Sequence, residues 1–220
     1  MKTSILFLFI LYFVSKPSLL LANEAEIWLE KEIDIILNAY QNENLPNENR
    51  FLMVEQTINN NFAGAGIAKF VIGKAWNSAN KETKKEYIKH FKRHLALNIA
   101  SMMQGYSNQK YSLINSRFDE KSKVTLIDME IYSEASSIVV TWRLKESKNR
   151  FFVIDLLVAD ISLVVTKRSE FNSMLKTVDY NLSNFNEKLK SQNEKSYEKI
   201  FDLNWLGLSS DISICFLLLL

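Results

Sequence analysis

The hydrophobic period of the chain switches near Tyr111, and that switch restricts the fold more than any other feature. Before it, apolar residues recur every three or four positions, the spacing of a helix with one buried face. Trp28, Ile33, Ile36, Leu37 and Tyr40 predict a helix over 24–40, and Phe51, Val54 and Ile58 a second, with a break at 42–49 around Pro46. Asn59, Asn60 and Asn61 end that second helix, because asparagine competes for backbone hydrogen bonds. A short apolar helix then carries Ile67, Phe70, Val71 and Trp76. The longest begins after Asn80, a good N-cap with Glu82 in the first turn. Its stripe runs through Ile88, Phe91, Leu95, Ile99, Met102 and Tyr106.

After Tyr111 the residues alternate. Segments 124–131, 138–144 and 151–165 are rich in β-branched and aromatic side chains and are separated by polar breaks at 133–136 and 146–149, which predicts an antiparallel sheet. Thr125, Ile127, Met129 and Ile131 form the dry face of the first strand, and Ile138, Val140, Trp142 and Leu144 that of the second. Stretch 151–158 is apolar on both faces except at Asp155, as for a strand covered from both sides. Helices around 168–175 and 178–189 close the chain. Helices first, a sheet next and helices last make an α+β domain with one sheet face packed on helices.

At 220 residues, 47% hydrophobic, with 5 Gly and 2 Pro, the chain is one globular domain rather than a disordered, collagen-like or low-complexity segment. One cysteine excludes an intramolecular disulfide framework and a cysteine-based zinc cluster. With 27 Lys+Arg against 25 Asp+Glu, the basic excess of a nucleic-acid binder is missing. Lys2, the apolar run 5–14 and the small residue Ala22 predict a secretory signal peptide over 1–22. The run, interrupted by Ser15-Lys16-Pro17, falls short of the ~20 residues that span a bilayer. Cleavage there removes Lys2 and Lys16 and leaves 25 basic and 25 acidic side chains, so bulk charge steers nothing. The domain is expected over 23–200. Residues 201–220 form an apolar tail of open role, which holds Cys215 and is assigned no catalytic part.

Reactive groups are scarce. His90 and His94 share a helix face, but the position after His90 is Phe91, not the Glu of a zincin helix, so no metal site is expected. Lys81, Lys84, Lys85, Lys89, Lys92 and Arg93 form either a solvated helix face or a basic patch for a membrane or partner. Neither a glycine-rich phosphate loop nor a nucleophile elbow occurs, and no cofactor is expected. Asp155 has two readings: a structural carboxylate paired with a base such as Arg168 or with backbone N–H groups, or a general base in a small isomerase-like pocket. A sheet with dry faces and aromatic-bearing helices otherwise suits an apolar pocket.

Ile67-Ala68-Lys69-Phe70-Val71-Ile72-Gly73, with Trp76 close behind, resembles the "I-A-(R/K)-F-V-L-G-x-x-W" signature of the MlaC (toluene-tolerance) family. Tyr87, Ile88, Phe91 and Tyr106 match further along, as do Val140-Thr141-Trp142-Arg143-Leu144, Val153-Ile154-Asp155-Leu156-Leu157-Val158 and Ile161 to Phe171. The resemblance covers about 25–190. It departs at Asp160, where the family has glycine, at Ala75 in place of an aromatic, and at Asn80-Lys81-Glu82-Thr83 in place of T-P-x-Q. The resemblance implies helices on a curved, NTF2-like sheet and a monomeric periplasmic phospholipid carrier rather than an enzyme. Such a carrier belongs to the maintenance-of-lipid-asymmetry pathway. It exchanges lipid between an outer-membrane lipoprotein–porin complex and the substrate-binding ring of an inner-membrane ABC transporter. A hopanoid or other polycyclic lipid is the alternative cargo. Two acyl chains hold about 30 methylenes, a hydration cost of about 25 kcal/mol that an apolar cavity removes. The residues expected to line it are Phe70, Val71, Trp76, Phe91, Leu95, Val140, Trp142, Ile154, Leu156, Ile161 and Leu163, with Arg168 and Glu170 structural or partner-facing.

Overall fold

A computed structural model describes residues 18–106, 109–134 and 136–202. Five helices come first: α1 (Ser18–Gln41), α2 (Asn47–Asn61), α3 (Gly64–Ile72), α4 (Ala75–Ser78) and α5 (Lys81–Met103). Strands β1 (Lys110–Asp119), β2 (Val124–Tyr132), β3 (Ser137–Ser147), β4 (Arg150–Val158) and β5 (Ile161–Ser162) follow, then α6 (Leu163–Lys176) and α7 (Leu182–Asp202). The strands form an antiparallel meander in chain order. This is the α+β layering that the change of period predicts. Most of the expected tail and leader lies outside the described residues. The cleavage point at Ala22 falls within α1, where Leu21 and Ala22 are buried.

Three differences from the sequence expectation have physical causes. The segment 110–119 is a full strand that its mixed composition hides; its inward residues include Tyr111 and Ser116, which hydrogen-bond to α1. The expected strand 151–165 stops at Val158, because Ala159 and Asp160 both take positive φ (47° and 64°) and turn the chain into β5. Residues 163–165 then open α6, whose N-cap Ser162 accepts a 3.1 Å bond from the Val165 N–H. Tyr106 lies past the end of α5. By contrast, Asn80 caps α5 as its sequence predicts, accepting a 2.9 Å bond from the Thr83 N–H.

The helices divide between two layers. On one side α3, α5, α6 and α7 bury Val71, Tyr87, Phe91, Phe171, Phe185 and Leu189 in an aromatic-rich core. On the other, α1 lays Ala25 and Leu29 on the sheet against Ile127, Leu144 and Val153. Helices α5 and α7 run side by side in the same direction. Asn186 Nδ2 donates to the carbonyl of Thr83, Asn193 Nδ2 to that of His90, and Gln104 Nε2 to that of Ile200. The signature glycine has a mechanical reason: Gly73 sits at φ 60°, and the guanidinium of Arg168 covers it while donating a 2.7 Å bond to the Phe70 carbonyl.

Candidate functional site

Between α1, α2 and the end of α5 on one side and the inner sheet face on the other lies an apolar cavity of about 230 Å³. Trp28, Leu29, Ile33, Ile36 and Leu37 of α1 and Val54 and Ile58 of α2 form its helical wall. Ile99, Met102 and Met103 come from the last turns of α5, and Phe62 lies beyond α2. Met129 and Ile131 of β2, Val140 and Trp142 of β3, and Val153, Leu156 and Val158 of β4 form the floor, with Leu163 at its margin. The polar residues of the wall are few: Glu32, Thr57, Asn61, Tyr106 and Gln109. A single buried water needs only ~10–15 Å³, so this space is sized for a ligand.

A bulge decides which residues of β4 reach the cavity. Arg143 pairs with Asp155 but Leu144 pairs with Val153, so Ile154 has no partner across the ladder. Strict alternation would put Val153 and Asp155 on one face and Leu156 on the other. The extra residue instead returns Leu156 and Val158 to the face of Val153 and sends Asp155 to the opposite side. There Asp155, 6% exposed, accepts bonds from Ser162 Oγ (2.7 Å), the N–H groups of Leu156 (2.9 Å) and Val164 (3.1 Å), and Arg143 Nη1 (3.3 Å). It anchors the start of α6 to the sheet. Its basic partner is Arg143 and not Arg168, and it is absent from the cavity wall.

Of the residues expected to line a cavity, Val140, Trp142, Leu156 and Leu163 are in the wall. Val71 and Phe91 are instead fully buried in the core around α3, α5 and α7, with Trp76 and Leu95 packed against it. The stripe of α5 is divided: its early turns face α6 and α7, and only its end faces the cavity. Phe70 and Ile161 are 44% and 47% exposed, the former stacked under Arg168 at 4.6 Å, and Ile154 is the bulge residue. Sequence reasoning left out the α1 and α2 residues, although their helical spacing is plain. Periodicity shows that a helix has an apolar face and not which surface that face covers.

Both histidines have side-chain partners within the fold. His94 is 3% exposed, with Nδ1 3.2 Å from Asn193 Oδ1 and Nε2 3.3 Å from Asn98 Nδ2, a neutral ring between two amides. Burial lowers its pKa to about 4, helped by the charge of Lys167. His90 pairs with Glu86 on the same helix. Among the described residues no His, Cys, Asp and Glu group is arranged to hold a metal ion. No described helix is long and apolar enough to cross a membrane. Glu170 pairs with Lys167 at 2.7 Å.

Comparison with known proteins agrees with this geometry. The family described as "MlaC protein" matches residues 30–206. A search of curated proteins by similarity finds no match. Among solved structures, the phospholipid-binding protein from Ralstonia solanacearum, determined in complex with a phospholipid, superimposes with a TM-score of 0.67. It is 15% identical, and the match covers 79% of this chain and 98% of that one. At that identity the likeness establishes the fold, while the family match spans the sheet, both helical layers and every wall residue from Glu32 onward. The chain belongs to the MlaC family.

Proposed function

We propose that this protein is a phospholipid carrier of the bacterial periplasm, and that the cavity between α1, α2 and the sheet shields the acyl chains. The observation that carries the reading is the cavity wall, aliphatic and aromatic apart from a few polar groups. An apolar cavity of roughly 150 Å³ takes up benzene. Scaled by carbon count, 230 Å³ accommodates about nine methylenes. At ~0.8 kcal/mol each, that is about 7 kcal/mol of hydration cost removed. Two full chains need more room than this, so holding both would require outward movement of α1, the helix that forms one wall. That helix is tied to β1 by two side-chain bonds, Tyr111 to Asp34 and Ser116 to Glu26.

The position of Asp155 disfavours an isomerase-like reaction, because its carboxylate is engaged on the far side of the sheet. Residues 1–22 are proposed to be the export signal, residues 23–200 the binding domain and 201–220 an appendage. The partners proposed are those of the family: the outer-membrane lipoprotein–porin complex and the inner-membrane ABC transporter, each served by a monomeric carrier. The test is extraction of protein purified from a bacterial periplasm without detergent, followed by mass spectrometry of the organic phase. Stoichiometric phospholipid is the expected result. Lipid-free protein that also takes up no labelled phospholipid would refute the carrier reading.

A further inference from the structure

Glu32 is the one charged side chain in the cavity wall among the described residues. Its Oε2 accepts a 2.6 Å bond from Nδ2 of Asn61, a wall residue that is 7% exposed. Glu32 itself is half-buried, so its carboxylate is tethered where the apolar wall meets water. Among the described residues no lysine or arginine lines the cavity and no ion pair engages Glu32. The rest of α1 reinforces the sign: Glu24, Glu26, Glu30 and Asp34 accompany Glu32 against a single lysine, Lys31. The basic residues of α5 start at Lys81 and end at Arg93, well before Ile99, where that helix joins the wall.

A lipid whose chains occupy the cavity must leave its headgroup at such a rim. A headgroup with net negative charge meets the Glu32 carboxylate with no cation in the wall to offset it. A zwitterionic headgroup can turn a protonated amine toward the same carboxylate. We propose that Glu32, held by Asn61, selects lipids whose headgroup carries a primary ammonium group over lipids with a net negative headgroup. This inference rests on the carrier reading and adds the chemical class of the cargo.

The test loads the purified protein from vesicles containing equal amounts of phosphatidylethanolamine and phosphatidylglycerol with identical chains, then counts bound lipids by mass spectrometry. The wild type is expected to favour the ethanolamine lipid about threefold, the size of effect a partly solvated ion pair gives. That preference should shrink toward parity at about 0.5 M salt. Glu32→Gln, which keeps an acceptor for Asn61, should abolish the preference, and Glu32→Lys should reverse it. Equal loading by the wild type overturns the assignment while leaving the carrier reading intact. So does an unchanged ratio in Glu32→Gln, the result expected if the pair only ties α1 to α2. Loading of neither lipid overturns the carrier reading itself. The wild-type ratio and its salt dependence need no variant to fold.

Discussion

Acidification should weaken this protein through one buried imidazole. His94 is enclosed by Asn98 on its own helix, Asn193 on α7, and Phe171, Lys167 and Glu170 on α6. Burial is the largest cause of its lowered pKa and Lys167 the next; Glu170 and the bond to Asn193 oppose them without prevailing. The unfolded chain therefore takes up a proton near the ordinary value of 6.5, and the folded protein only near 4. Stability is complete above pH 6.5 and is lost as pH falls toward about 4, below which this group contributes no further loss. The full shift corresponds to about 3 kcal/mol, and about 2 kcal/mol of it falls between pH 7 and pH 5, above most carboxylate titrations. Urea unfolding of the wild type and His94→Gln at both pH values isolates the effect, since carboxylate contributions cancel in the difference. The wild type should lose about 2 kcal/mol more than the variant. Equal losses, within about 0.5 kcal/mol, would mean that His94 is protonated in the folded protein and that the amide cage does not hold it neutral.

Asp155→Ala should cost about 3–4 kcal/mol, because it leaves Arg143 and the α6 N-terminus facing a buried gap, and Asp155→Asn roughly half of that. Urea midpoints decide it, and an unaffected Asp155→Ala protein would contradict the anchoring role. Ala159→Gly should raise stability by about 0.5–1 kcal/mol, since relief of a left-handed backbone at φ 47° outweighs the added freedom of the unfolded chain. No rise in melting temperature would mean that the turn is unstrained. Ile36→Trp combined with Leu156→Trp puts two indoles into the cavity from opposite walls. Phospholipid uptake should drop at least about tenfold while the folded protein persists in circular dichroism, as filling a void is milder than overpacking a dense core. Undiminished uptake would place the lipid elsewhere.

The layer order of the fold was legible because it depends on period alone, and period survives in a single sequence. The start of α5 was legible because the Asn80 side chain caps it after a polar break; Ser162 caps α6 in the same way, but within an apolar run that reads as strand. Strand β1 was not, because half its length faces α1 through hydroxyls, Tyr111 to Asp34 and Ser116 to Glu26, and so lacks an apolar alternation. The signature segment 67–73 identified the family and yet lies away from the cavity: Val71 and Ile72 serve the helical core, and Gly73 makes room for Arg168. A signature marks where substitution is hard, and crowded packing is as hard to substitute as a binding surface.

The floor of the cavity shows the deeper limit. From Phe151 to Val158 the sequence supports two assignments of face, and a single unpaired residue chooses between them. Without a bulge at Ile154, Asp155 would stand beside Val153 on the cavity side, a carboxylate in an apolar pocket, with pKa and reactivity to match. With it, Asp155 meets Arg143 across the ladder and the first turn of α6 behind, and Leu156 and Val158 complete the floor. Register is a property of the pair of strands, not of either alone. The turn at Ala159 and Asp160 then brings Ser162 back within 2.7 Å of Asp155. One bulge and one strained turn thus remove the acid from the cavity and use it to fix α6. The same two features that withdraw the acid are what leave the floor of the cavity apolar.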